Sequence, residues 1–150
     1  LLTQVALGNQ TCPENKICDL NNDTKVTNAD VVALTNAMAG AADAQIKMHL
    51  SSIKVYAEIF YSSDYSYGLS GTSPDVCVGA GAPSMFKDTK SDFAGALQAI
   101  TTTKGCNVSS DGKSYAAWAA ISEGYWCIDS GYSNGKQTKV RPTAGATKCP

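Results

Sequence analysis

The run NADVVALTNAMAGAADAQIKMHLSSIKVYAEIF, residues 28–60, decides the fold. Within it Val31, Leu34, Met38, Ala42, Ile46, Leu50, Ile53, Ala57 and Phe60 recur every three or four residues, the spacing that gathers apolar side chains on one face of an α-helix. Asn28 is placed to cap such a helix, and Asp30 falls in its first turn, where a carboxylate is favoured by the helix dipole. Asp43 and Lys47 stand four apart in the favourable order for a surface ion pair. Gly40 marks the position where a break or kink is expected. Unbroken, the helix runs to about Ser62 and spans roughly 50 Å.

Outward from this helix the pattern changes. Ser62 to Ala82 is rich in Gly, Ser, Asp and Tyr and reads as irregular loop. Ser91 to Thr101 reads as a short second helix with Phe93, Leu97 and Ile100 on one face. After Gly105-Cys106 the period shortens, and Ser114–Ile121, Tyr125–Ser130 and Lys136–Val140 read as strands separated by glycine-bearing turns. The expected class is α+β: one long N-terminal helix packed on a small antiparallel C-terminal sheet.

A chain of 150 residues holds one domain, or one domain with a small appendage. Only 17% of residues are charged and the net charge is −1, so no basic stripe exists for nucleic acid. The apolar runs are too short for a membrane span. No secretory leader opens the stretch at Leu1, so an already processed chain is expected. The six cysteines, Cys12, Cys18, Cys77, Cys106, Cys127 and Cys149, contain no C-x-x-C pair, and His49 is the single histidine. Zinc is therefore disfavoured and a set of disulfides favoured, which implies an oxidising compartment, extracellular or periplasmic. Cys12 and Cys18 are close enough in sequence to close a small ring.

Between that ring and the helix lies Asp19-Leu-Asn21-Asn-Asp23-Thr-Lys25-Val-Thr27-Asn-Ala-Asp30. Oxygen-bearing side chains at positions 1, 3, 5, 9 and 12, with a carbonyl at position 7, are what an EF-hand-type loop offers to Ca²⁺. Asp19, Asn21, Asp23, the Lys25 carbonyl, Thr27 and Asp30 are the candidate ligands. Thr24 stands where such loops usually carry glycine, and Asp30 where they usually carry glutamate. A D-x-N-x-D turn is also a good helix entry without metal.

Ala42-Asp43-Ala44-Gln45-Ile46-Lys47 through Ile53 and on to Ile59-Phe60-Tyr61-Ser62 resembles the C-terminal half of the long helix of type IV pilins and pseudopilins. Tyr115-Ala-Ala-Trp118-Ala, followed by Gly124-Tyr-Trp126-Cys127-Ile128-Asp129-Ser130 and a closing Cys149, resembles the paired C-terminal strands of bacterial pilins. The resemblance covers about residues 41–150 and implies a pilin-like, disulfide-bonded head with Cys77 joined to Cys106 and Cys127 to Cys149. Mature pilins open on a long apolar helix carrying an early glutamate, and residues 1–40 hold the Cys ring and the calcium-type loop in its place. Asp19–Met38 resembles one repeat of a type I dockerin, without the second repeat that cohesin docking usually needs.

Catalytic patterns are missing. G-x-S-x-G is absent, Gly79-Ala-Gly81 is too short for a phosphate loop, and nothing in the sequence partners His49. Asp88, Asp92, Asp111 and Asp129 are spread among turns and helix starts. Trp118 and Trp126 read as core anchors of the sheet rather than a sugar-stacking surface. The sequons at Asn9, Asn22 and Asn107 matter only where secreted chains are glycosylated. The expectation is a non-catalytic, Ca²⁺-stabilised subunit of an extracellular pilus or pseudopilin-type filament, or of a secretion apparatus, whose partners are like subunits. The alternative is a secreted calcium-dependent binding module, dockerin-like or glycan-binding.

Overall fold

The structure is a computed structural model and describes residues 27–68, 84–88, 93–131 and 134–150. The chain divides into two compact units, Leu1–Ala42 and Asp43–Pro150. Helix α1, Asn28–Asp64, is 37 residues long and begins in the first unit. At 1.5 Å per residue it measures about 55 Å. It does not break at Gly40. A Cβ there would meet nothing within 4 Å, and one exposed glycine costs only about 1 kcal/mol of helix propensity.

The cap of α1 is Thr27, one residue before the expected Asn28. Thr27 Oγ1 accepts the Ala29 N–H at 3.2 Å, and Asp30 Oδ2 accepts the Thr27 N–H at 2.7 Å. This reciprocal pair is a capping box. Asn28 cannot build one, because the residue three positions on is Val31, which returns no hydrogen bond. The far end of α1 is set by Tyr65, whose φ of 52° turns the chain into the left-handed region that aromatic residues rarely adopt. Lys113 Nζ donates to the Tyr65 carbonyl at 2.6 Å, and the Tyr67 N–H donates to the Gly112 carbonyl at 2.8 Å. Gly112 itself has φ 67°, and a Cβ on it would collide with the Gly68 carbonyl at 2.8 Å.

In the second unit, strands β1 (Lys104–Val108), β2 (Tyr115–Ile121), β3 (Gly124–Asp129) and β4 (Lys136–Thr138) form one antiparallel sheet in the order β1-β2-β3-β4. A 3₁₀ turn, Met85–Lys87, and helix α2, Phe93–Ala99, precede it. Three strands match the sequence reading in place, if not to the residue. β1 is the strand that reading does not contain. Lys104-Gly-Cys-Asn-Val shows no polar alternation because four of its five residues are buried, and period-2 patterning appears only where one face meets water.

The core lies between α1 and one face of the sheet. Ile46, Leu50, Ile53 and Ala57 of α1 share a buried cluster with Phe93, Leu97 and Ile100 and with Cys106, Val108, Tyr115, Ala117, Ala119 and Ile128 of the sheet. The Phe93 ring takes edge contacts from Tyr56 at 5.6 Å and Phe86 at 6.2 Å. Ala117 and Ala119 have weak strand propensity, yet at the sheet centre their small side chains leave volume for the large ones of α1. Asp43 and Lys47 do not pair with each other. The Asp43 carboxylate accepts the Ser122 N–H at 2.9 Å and the Ser122 hydroxyl, which fixes the β2–β3 turn, and Lys47 Nζ lies 4.8 Å from the Trp126 ring centroid. Both tertiary contacts outweigh an exposed i,i+4 pair worth about 0.3 kcal/mol.

Two phenols are buried in this core. Burial drives the Tyr115 hydroxyl far above its ordinary value, and Tyr67 is pushed up to about 12 by burial and by the Glu58 carboxylate, to which its hydroxyl donates at 3.4 Å.

Leu50→Ala and Ile53→Ala should each cost about 3 kcal/mol in urea denaturation, whereas Ile59→Ala, at a position 57% exposed, should cost less than about 0.5 kcal/mol. Both raised phenols bind their protons more tightly when folded. Stability is therefore fully present below pH 10, the unfolded value, and is lost as pH rises through the folded values, near 12 for Tyr67. A spectrophotometric phenolate titration should show two tyrosines that ionise only as the fold melts.

Candidate functional site

Of the candidate calcium ligands, Thr27 and Asp30 are described. Asp19, Asn21, Asp23 and Lys25 lie outside the described residues, as do Cys12, Cys18, Cys77, Asp92 and the Asn9 and Asn22 sequons. Asp30 is wholly buried although its helix neighbours Asn28, Ala29 and Val32 are exposed. A desolvated carboxylate needs donors or a countercharge, and the Thr27 N–H supplies one donor at 2.7 Å. The capping box also places loop position 9 at the helix cap and position 12 in its first turn. A carboxylate and a hydroxyl, both oxygen donors, suit a hard cation such as Ca²⁺. Among the described residues no three His, Cys, Asp or Glu side chains gather around a metal position.

The sheet face turned away from α1 is closed by the C-terminal segment. Trp118, Cys127 and Lys136 are cross-strand neighbours in one row. The Arg141 guanidinium stacks 4.9 Å from the Trp118 ring, and Cys127 is bonded to Cys149, 22 residues on. Asp129, two residues beyond Cys127 on the same face, is 2% exposed and joins the closure: Oδ2 accepts the Cys149 N–H at 2.7 Å and Oδ1 accepts the Gly131 N–H at 2.7 Å. Lys54 Nζ of α1 donates to the Asp129 carbonyl at 3.3 Å. Cys106 is also disulfide-bonded, with its partner outside the described residues. Asn107, buried, donates through Nδ2 to the Gly145 carbonyl at 2.6 Å, so that sequon is structural and closed to a glycan.

The second open feature is the outer face of α1. Met48, Val55 and Ile59 are 58%, 61% and 57% exposed. At about 3.6 residues per turn they form one stripe, opposite the stripe of Leu50, Ile53 and Ala57. Beside it Val55, Ile59, Lys54 and Glu58 border a groove of about 600 Å³ that reaches Trp126 and Ile128 of β3. Gly135 sits so close to Trp126 that a Cβ would come within 2.3 Å of Nε1.

The remaining candidates do other work. His49 is half-buried on α1. Asp111 sits in the β1–β2 turn, its carboxyl held below the usual range by the Ser109 hydroxyl and the Lys113 N–H. Trp118 is buried, but beneath the C-terminal segment rather than in the main core, and Trp126 packs at the core's margin. Two features escaped the sequence reading. The outer stripe was visible there as Met48, Val55 and Ile59 at intervals of seven and four, whereas the lock made by Asp129 depends on a partner twenty residues away and carries no local signal. Comparison with family models, with curated proteins and with solved structures finds no match.

Asp129→Ala leaves the N–H groups of Gly131 and Cys149 without an acceptor and should cost about 3 kcal/mol. It should also speed reduction of Cys127–Cys149 by dithiothreitol, followed by mass spectrometry of the alkylated thiols, because the backbone of Cys149 is then held by the disulfide alone.

Proposed function

We propose that this chain is a non-catalytic structural subunit, resembling the type IV pilins and pseudopilins, that assembles with like subunits into an extracellular or periplasmic filament. The observation that carries the reading is the double-faced helix. Leu50, Ile53 and Ala57 have no exposure, while Met48, Val55 and Ile59 on the opposite side are more than half exposed. A helix serving only its own core would carry polar residues there. The antiparallel sheet and its disulfide-closed C-terminal segment support the same reading, since a subunit outside the cell needs a fold that resists unfolding without chaperones. Among the described residues no helix is long and apolar enough to cross a membrane.

In this reading Asp19, Asn21, Asp23, the Lys25 carbonyl, Thr27 and Asp30 hold a Ca²⁺ ion at the start of α1. The buried Asp30 and its capping box support that part. The ion would supply charge neutralisation and rigidity, and no chemistry.

Sedimentation of the whole chain across a concentration series, with Ca²⁺ present, tests the proposal. Val55→Asp/Ile59→Asp should weaken self-association at least tenfold without lowering the melting temperature. A monomer at all concentrations, with capture of a partner that EDTA abolishes, would favour the calcium-dependent binding module instead.

A further inference from the structure

A second cavity, of about 390 Å³, opens at the C-terminal end of α1, within the size range of small-molecule sites. It belongs to neither the outer stripe nor the C-terminal closure. Phe60, Asp64 and Ser66 bound it on one side, and Ser84, Lys87 and Asp88 on the other. The two sides are brought together by an antiparallel bridge between Gly68 and Ser84 and by the Met85 N–H donating to the Tyr67 carbonyl at 3.0 Å. The Phe60 ring is steadied by an edge contact with Phe93 at 6.5 Å.

Ser84 is the informative residue. It is 4% exposed, lines the cavity, and its hydroxyl has no hydrogen-bond partner. A buried hydroxyl left unmatched is costly, so such groups call for an explanation in what the site receives. Ser66, by contrast, is already committed, its Oγ accepting the Gly68 N–H at 3.1 Å.

The other groups define the ligand's chemistry. Asp64 and Asp88 are acceptors and Lys87 is a donor. A bare cation would be opposed by Lys87, and an anion by the two carboxylates. A neutral ring bearing several hydroxyls meets every demand: it donates to the carboxylates, accepts from the ammonium, exchanges a hydrogen bond with Ser84, and lays its C–H face against Phe60. We propose that this cavity binds a neutral, monosaccharide-sized polyol. The proposal stands apart from the filament reading and survives its failure.

The test is an amide-resolved NMR titration of the whole chain with glucose, galactose and N-acetylglucosamine in turn. At least one sugar should give saturable shifts at Ser66, Lys87 and Asp88. Ser84→Ala should weaken that binding at least tenfold while leaving the melting temperature unchanged or raised, because it removes an unmatched hydroxyl. Asp64→Asn, on the opposite wall, should weaken it as well. Saturation at these residues by glycine or by calcium chloride but by none of the sugars would overturn the proposal. So would the absence of saturable shifts from all three sugars, or an affinity unchanged in Ser84→Ala.

Discussion

One helical face holds the second unit together. Ile46, Leu50, Ile53 and Ala57 are the α1 side of a core whose sheet side is built largely from small residues, and α2 adds only Phe93, Ala96, Leu97 and Ile100. The rest follows from that constraint. Because α1 fills the space above β2, Ala117 and Ala119 can sit at the sheet centre despite their poor strand propensity. Because the core face is satisfied, the opposite face must be closed by something else. The C-terminal segment does so through Cys149, Arg141 and Gly145, each held by a residue of the sheet.

That closure is redundant by design. Cys127 holds Cys149 covalently, and Asp129, on the same face two residues on, holds its N–H. A covalent link over 22 residues removes about 3 kcal/mol of unfolded-state entropy, while the carboxylate fixes where the linked segment lies. Lys54 then ties the end of β3 back to α1. With both sheet faces covered in this way, the large apolar groups that α1 leaves uncovered, Met48, Val55 and Ile59, stand out as surface whose burial the second unit does not itself supply. On the proposed reading, neighbouring subunits supply it.

How much was legible in the sequence depended on range. The three-to-four period named α1 and its buried stripe, and Phe93, Leu97 and Ile100 named α2, because helical periodicity is local. The α+β class followed from the order of those elements and the three later strands. β1 was not legible, since burial erased its alternation, and Asn28 was favoured over Thr27 because the box to Asp30 requires pairing two residues rather than ranking one. Asp43 failed for a similar reason: its partner, Ser122, lies 79 residues away. The calcium-type loop is the reverse case, plain as a spacing pattern although only Thr27 and Asp30 fall among the described residues. The polyol cavity was invisible, because Asp64, Ser84 and Asp88 meet only through the bridge from Gly68 to Ser84.

The central claim is that α1 serves two apolar interfaces, one inside the unit and one between units. Photo-crosslinking from a benzophenone side chain placed at Val55, compared with the same group at the exposed Gln98 of α2, tests it most directly. The account requires inter-chain products from position 55 that increase with protein concentration, and few from position 98. Equal yields at the two positions, or none from position 55 at any concentration, would contradict it.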